Sequence, residues 1–172
     1  SLSQQFAAHG RDGRLERSYL AIVWGVPERN QGTISASLAR STTNRQKIAV
    51  SRASSAREAI THYEVLERFG NPPVASLVRC RLETGRTHQI RVHLAHIGHP
   101  LLGDPTYGAG FRSAAARLSD PAKEALKALN RQALHAAILG FEHPTSGQAL
   151  HFESQLPHDM AALLGALRGT HT

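Results

Sequence analysis

The segment most able to do chemistry runs from residue 82 to residue 108 and is rich in histidine, arginine and glycine. A strand pattern ends there in a glycine turn and enters a helical pattern, which concentrates polar side chains and free backbone N–H groups. His88 and Arg91 are three residues apart and would share a helix face. That face is offset from the apolar stripe of Ile90, Leu94 and Ile97. Arg91 could therefore hold a buried carboxylate as a bidentate pair, or it could be a solvated surface arginine.

Four histidines in the same segment raise the question of a metal site: His88, His93, His96 and His99. The sequence has no His-Glu-x-x-His motif, and no cysteine lies near them. Their positions also scatter around the predicted helix, so we predict that no metal is bound. The single cysteine, Cys80, excludes an internal disulfide and is expected to be a small buried residue of a strand.

Composition points to a polyanionic partner. The 172 residues contain 20 Lys and Arg against 13 Asp and Glu, a formal net charge of +7. An excess of this kind favours binding to nucleic acid phosphates, although a merely basic surface would look the same. Candidate phosphate contacts are Arg45, Lys47, Arg52, Arg79, Arg81 and Arg86. With no apolar stretch long enough for a membrane span and no signal peptide, we expect a cytoplasmic protein with no membrane partner.

Periodicity predicts an α+β fold with a mixed, mainly antiparallel sheet flanked by about three helices. Residues 17–25 read as a central strand, and 33–36 and 45–50 as short strands around a polar loop at 40–45. Hairpins are predicted from 59–69 with 74–83, and from 133–141 with 148–154. Helices are expected from a cap at Thr87 to about Ile97, after Ser119, and around Met160, Leu163, Leu164 and Leu167; residues 2–10 could end another helix.

Several long motifs resemble the RluA family of RNA pseudouridine synthases, and within it the large-subunit ribosomal RNA enzymes of the RluD type. The most specific are Leu82-Glu-Thr-Gly-Arg-Thr-His-Gln-Ile-Arg-Val-His93 and Gly98-His-Pro-Leu-Leu-Gly-Asp-Pro-Thr-Tyr-Gly108. The resemblance also includes Arg17-Ser-Tyr-Leu-Ala21, Arg131-Gln-Ala-Leu-His-Ala136 and His143-Pro-Thr-Ser-Gly147. It runs along essentially the whole chain.

The resemblance implies isomerisation of uridine to pseudouridine in RNA, with 23S ribosomal RNA as the substrate and no cofactor or metal. The target uridine is flipped out and attacked by an aspartate. Tyr19 corresponds to the tyrosine that packs on the target base and is a candidate for assisting proton transfer, and Arg91 to the basic residue that pairs with the nucleophile. Asp104 lies in a family loop that we interpret as structural. RNA contacts are expected from Arg45, Lys47, Arg86, His88 and Gln89.

The nucleophile of this family lies in a His-Arg-Leu-Asp motif upstream of the tyrosine strand, and the 172 residues contain no such motif. The chain, residues 1–172, is therefore expected to be a single domain: the C-terminal portion of a pseudouridine synthase catalytic domain truncated at its N-terminal side. The His-Arg-Leu-Asp segment and any S4 domain would be absent, Arg91 would lose its partner, and the chain alone would be inactive. The alternatives are a noncatalytic RNA-binding module and a histidine-based metal-binding protein.

Overall fold

Residues 15–169 are described by the computed structural model, and they form eight strands and four helices. In chain order these are β1 Leu15–Trp24, β2 Gln31–Ser35, β3 Leu38–Arg40, β4 Ile48–Val50, β5 Ile60–Phe69, β6 Ala75–Leu82, α1 Gln89–His96, α2 Arg112–Ala116, α3 Asp120–Leu129, β7 Leu134–Glu142, β8 Ala149–Glu153 and α4 His158–Arg168. The helix expected within residues 2–10 lies outside the described range.

Six of the strands form one sheet in the order β2-β5-β6-β1-β7-β8, and β3 pairs with β4 in a separate hairpin. Each described pairing is antiparallel. The α+β class with a mainly antiparallel sheet is thus confirmed. The near-continuous apolar run of β1 reflects its inner position in the sheet, where both of its faces are covered.

Alternation along β1 divides the core between the two faces of the sheet. Ala21 and Val23 pack in a cluster with Ile90 and Leu94 of α1, and Tyr19 lies against that cluster. On the opposite face, Ile22 and Trp24 belong to a larger cluster under α3 and α4. This cluster contains the predicted apolar side of α4, formed by Met160, Leu163, Leu164 and Leu167. The period of two in β1 therefore places Tyr19 on the α1 side of the sheet.

Three local predictions differ from the structure. Thr87 is not the cap of α1, because His88 occupies that position in a left-handed conformation with φ 55° and makes no side-chain cap hydrogen bond. The polar loop at 40–45 is preceded by a short strand, β3, that was not predicted. Helix α2 was not predicted. It has five residues and no buried side chain, so it lacks the apolar stripe by which a sequence pattern indicates a helix.

No helix within residues 15–169 is long and apolar enough to span a bilayer. In the same range, no three His, Cys, Asp or Glu side chains come together in a metal-binding group. Cys80 is fully buried, as expected, and burial raises the pKa of its thiol to about 12.

Candidate functional site

A basic cleft of about 660 Å³ lies between the β3–β4 hairpin and the turn that enters α1. Arginines from four separate places line it: Arg40, Arg45, Arg57 and Arg86. The described residues of the lining include no Asp or Glu. Arg40 Nη1 donates to the carbonyl of Arg45, while Arg86 Nε donates to the carbonyl of Glu58, so two of the arginines are tied to the cleft wall. The concentrated positive charge suits a phosphate backbone.

The turn into α1 is organised by the side chain of Gln89, which is only 2% exposed. Its Oε1 accepts hydrogen bonds from the Thr84 hydroxyl and from the backbone N–H of Arg86. Its Nε2 donates to the carbonyl of Ile60 and to the hydroxyl of Thr61. All the hydrogen-bonding capacity of the amide thus serves to join the turn to β5. This geometry makes Gln89 a residue that positions the turn, rather than a group open to RNA.

His88 is joined to the β3–β4 hairpin through Tyr107. The Tyr107 hydroxyl accepts from the backbone N–H of Ile48 at 3.0 Å and lies 2.9 Å from His88 Nδ1. The hydroxyl already accepts from Ile48, so we assign its own proton to the contact with Nδ1 and the imidazole proton to Nε2. Burial lowers the pKa of His88, and the cation of Arg91 lowers it further. Both effects favour the neutral form of the imidazole at the start of α1.

Arg91 forms a bidentate ion pair with Asp104. Arg91 Nε lies 2.8 Å from Asp104 Oδ2, and Nη2 lies 2.9 Å from Oδ1. The Asp104 side chain is fully buried and that of Arg91 is 10% exposed. Arg91 is therefore not left without an anion in this chain, because a carboxylate thirteen residues further along fills its Nε and Nη2 edge. Its pairing with the nucleophile, which the resemblance implies, stays a prediction. The same pair accounts for Asp104 as a structural residue of its loop.

Tyr19 is half-buried in β1 and does not line the basic cleft. The ladder between β1 and β7 is irregular beside it: Ser18 is opposite Ile138 and Tyr19 is opposite Ala136, so Ala137 is left without a partner in β1. The carbonyl of Ala137 instead accepts from the N–H of Ser154. Such a bulge re-aims neighbouring side chains and is common beside functional sites.

The structure thus brings together some of the predicted RNA-contacting residues and separates others. Arg45 and Arg86 line the cleft, and Lys47 lies over the Tyr107 ring with its Nζ 6.0 Å from the ring centroid. Arg79 and Arg81 instead line an open hollow of about 590 Å³ on the sheet face opposite α1.

Sequence reasoning missed three residues of this region: Arg40, Arg57 and Tyr107. The Gly-Asp-Pro-Thr-Tyr-Gly motif could have identified Tyr107 as a site residue. For the two arginines, the only indication in the sequence was the overall positive charge.

A family model described as RNA pseudouridylate synthase matches residues 1–96. The chain is 47% identical over 166 residues to the ribosomal large subunit pseudouridine synthase D of Zymomonas mobilis, covering 96% of this chain and 48% of that protein. It is 49% identical over 156 residues to the protein of the same name from Nitrosomonas europaea, covering 90% of this chain and 41% of that protein. The chain therefore spans about half the length of these relatives.

Among solved structures, human RNA pseudouridylate synthase domain containing 4 matches with a TM-score of 0.72 and 25% identity, over 97% of this chain and 66% of that one. Human RNA pseudouridylate synthase domain containing 1 matches with a TM-score of 0.65 and 27% identity, over 91% of this chain and 63% of that one. The similarity therefore extends through nearly the whole chain in both sequence and fold.

Proposed function

The chain belongs to the RNA pseudouridylate synthase family, and on that premise we propose that it carries part of a site that isomerises uridine to pseudouridine in large-subunit ribosomal RNA. The observation that supports this best is the cleft with four arginines, which offers an RNA backbone a concentrated positive surface. The relatives named for the ribosomal large subunit support the choice of substrate. The nucleophile would come from a His-Arg-Leu-Asp segment upstream of β1, outside these 172 residues.

Within the proposed site, Arg45 and Arg86 would contact phosphates directly, and Lys47 would approach the RNA from the β3–β4 hairpin. His88 would offer its Nε2 proton as a hydrogen-bond donor, because Nδ1 is engaged by the Tyr107 hydroxyl. Gln89 would act indirectly by holding the turn. Tyr19 would place its ring against the flipped uracil, a contact that suits an aromatic plane.

The proposed role of Arg91 as the partner of the nucleophile is constrained by Asp104. The Nε and Nη2 edge of Arg91 is occupied by that carboxylate, so the two N–H groups of Nη1 and the second N–H of Nη2 are the donors left for any second anion. Its guanidinium also lies over the Tyr107 ring, 5.1 Å from the ring centroid. Arg91 would consequently hold the Gly103–Gly108 loop against α1 and assist the nucleophile through those remaining N–H groups.

We expect the chain to bind a single-stranded RNA with an affinity that falls steeply with salt. If the four arginines of the cleft each neutralise a phosphate, log Kd should rise with log salt with a slope of about 3. Arg57→Ala should reduce this slope by roughly one phosphate's share, about 0.7. Arg112→Ala removes an exposed arginine of α2 outside the cleft and serves as the matched control. An affinity that does not change between low and high salt would rule out the electrostatic cleft.

We expect no pseudouridine formation by the 172-residue chain alone, since the nucleophile is assigned to an upstream segment. The measurement is incubation with a large-subunit ribosomal RNA transcript, followed by mapping of pseudouridine. Turnover well above the background of RNA without protein would show that the nucleophile lies in this chain after all. RNA binding without turnover is the behaviour also expected of the alternative, a noncatalytic RNA-binding module. Joining the chain to the upstream His-Arg-Leu-Asp segment distinguishes these two functions. The joined polypeptide should form pseudouridine if the chain is part of the enzyme, and should only bind RNA if it is a noncatalytic module.

A further inference from the structure

Two polar side chains of α1 face β5 from within the core. Gln89 and His93 are four residues apart, so they lie on one face of the helix. His93 is fully buried, and so is Thr61 of β5, whose hydroxyl contacts both of them. The hydrogen bonds of Gln89 to the turn explain its burial, whereas His93 makes no contact with the turn. Because a buried polar group is costly unless it is hydrogen-bonded, the partners of His93 indicate what it does.

The contacts of His93 have one consistent direction. Nε2 lies 2.9 Å from the carbonyl oxygen of Ala36, which can only accept, so we assign the imidazole proton to Nε2. Nδ1 is then the acceptor, and it lies 2.8 Å from the Thr61 hydroxyl, which itself accepts from Gln89 Nε2. Burial lowers the pKa of His93, the bond to Ala36 opposes this and the neighbouring His96 adds to it, so the neutral form is favoured.

These hydrogen bonds form one chain of donors from the turn before α1 to the base of the β3–β4 hairpin. The Thr84 hydroxyl donates to Gln89 Oε1, and Gln89 Nε2 donates to Thr61. The Thr61 hydroxyl donates to His93, and His93 Nε2 donates to the carbonyl of Ala36, in the connection between β2 and β3. Hydrogen bonds joined in this way polarise and strengthen one another, so the chain is a rigid link between turn and hairpin.

The β3–β4 hairpin needs such a link because it pairs with no strand of the six-stranded sheet. Its strands have three residues each, and a two-stranded hairpin alone is only marginally stable in water. Tyr107 holds β4 by accepting from the N–H of Ile48, and His93 holds Ala36, which leads into β3. The hairpin is therefore attached near α1 at two separate places.

The spacing of the arginines in the basic cleft depends on this attachment. Arg40 and Arg45 lie in the hairpin, whereas Arg86 lies in the turn that enters α1. We propose that His93 is a positioning residue for RNA binding: its hydrogen-bond chain fixes the hairpin against the turn and so sets the distance between the arginines across the cleft. A fixed distance lets RNA bind without first ordering the hairpin, which saves binding free energy. This inference rests on the proposed function.

The first experiment measures the width of the cleft in the 172-residue chain without RNA. Spin labels are attached through Thr42→Cys in the hairpin and Thr87→Cys in the turn, two exposed positions that line the cleft. The native Cys80 is buried and its thiol has a pKa of about 12, so it stays unlabelled. Thr61→Val removes the linking hydroxyl at nearly constant volume and should replace one narrow distance distribution by a wider one. An unchanged distribution would overturn the proposal.

Thr33→Val is the matched control. The Thr33 hydroxyl also lies 2.8 Å from Nδ1 of a histidine, His62, but this contact is exposed and lies outside the cleft. Thr33→Val should therefore change neither the cleft distances nor the RNA affinity. Thr61→Ser keeps the hydroxyl and should retain the narrow distribution. A wide distribution in Thr61→Ser would attribute the effect to packing of the lost methyl group and contradict the proposal.

His93→Leu provides a second break in the same chain. Thr61→Val leaves both His93 Nδ1 and Gln89 Nε2 without a partner, which can prevent folding. His93→Leu is a change of similar volume, and it leaves Thr61 able to accept from Gln89. It should widen the distance distribution by itself and decides the matter if Thr61→Val does not fold. A narrow distribution in a folded His93→Leu protein would refute the role of His93.

The second experiment measures the affinity for a single-stranded uridine oligonucleotide, with melting temperature as the folding control. Thr61→Val should raise Kd about five- to tenfold, since the hairpin must then be ordered on binding. Arg86→Ala should also cost less affinity in the Thr61→Val background, because the spacing that made Arg86 effective is already lost. A lower melting temperature with an unchanged Kd would make the chain of hydrogen bonds purely structural and contradict the proposal.

The two experiments distinguish failure of this inference from failure of the proposed function. If the unsubstituted chain binds the oligonucleotide without any dependence on salt, the electrostatic cleft is rejected. The spin-label distances then still decide whether His93 sets the width of the cleft, because they need no RNA. If instead binding depends on salt but the distances and Kd are the same in the folded variants and the unsubstituted chain, the proposed function stands and the role of His93 is rejected.

Discussion

Asp104→Asn should destabilise the chain by about 3–5 kcal/mol, a large effect for a substitution that barely changes side-chain shape. The carboxylate is completely buried and is paired side-on with Arg91. Asparagine removes the negative charge and leaves the guanidinium buried without a counterion. Urea unfolding of the 172-residue chain measures the difference directly. A change below about 1 kcal/mol would mean that the pair is screened like a surface ion pair.

Glu67→Gln is the matched control, because Glu67 meets Arg168 through the same bidentate geometry at 3.0 and 3.1 Å. The Arg168 side chain is 53% exposed and the Glu67 side chain 34%, so solvent screens their attraction. We expect Glu67→Gln to change the free energy of unfolding by no more than about 1 kcal/mol. The comparison of Asp104→Asn with Glu67→Gln therefore isolates burial as the cause of the larger loss of stability.

The effect of Asp104→Asn should also depend on pH. Burial alone would raise the pKa of Asp104, but hydrogen bonds from Arg91 and from the backbone N–H groups of Tyr107 and Thr106 outweigh it, and the pKa is lowered. A carboxyl with a lowered pKa in the folded state contributes stability above its unfolded pKa of about 3.9. That contribution is lost as pH falls through the folded pKa. Asp104→Asn should therefore cost least in acid and most near neutral pH.

Much of the fold could be predicted from sequence because its elements have strong local patterns. The hairpin of β5 and β6 shows alternation in which Val78, Cys80 and Leu82 are buried and Arg79 and Arg81 are exposed. Ser119 and Pro121 mark the start of α3, where the Ser119 hydroxyl accepts from the N–H of Ala122. In these cases the residues that determine the element lie within it.

The start of α1 could not be predicted in the same way because its cap is tertiary. Thr87 has the composition of an N-cap residue, yet the chain passes through a left-handed His88 before the helix begins. The Gln89 side chain accepts a hydrogen bond from the N–H of Arg86. It also donates to the carbonyl of Ile60 in β5, a residue 29 positions away in the sequence. Long-range hydrogen bonds of this kind override a local preference and leave no periodic signal.

The site was predicted in its residue types more than in its pairings. The motif containing Arg91 suggested a buried carboxylate partner, and the structure supplies one, but from Asp104 rather than from a nucleophile. The cleft gathers Arg40, Arg57 and Arg86 from separate elements, which charge counting cannot anticipate.

Tyr19→Phe should retain RNA binding and lose turnover by about 100- to 10,000-fold, the range typical for removing a positioned acid–base group. The experiment uses the polypeptide that includes the upstream segment, with single-turnover kinetics on RNA. Phenylalanine keeps the aromatic plane and the packing against the α1-side cluster, so the fold and the stacking on uracil should persist.

Tyr19→Leu provides the comparison that separates the ring from the hydroxyl. Leucine keeps much of the apolar bulk but removes the aromatic plane, and base–aromatic stacking is worth about 1–3 kcal/mol. RNA binding should therefore weaken in Tyr19→Leu but not in Tyr19→Phe, while turnover falls in both. Melting temperatures of both variants control for folding, because Tyr19 is half-buried beside Ala21 and Val23. Full activity in Tyr19→Phe with loss in Tyr19→Leu would restrict Tyr19 to stacking, and normal turnover in both would make it a packing residue of β1.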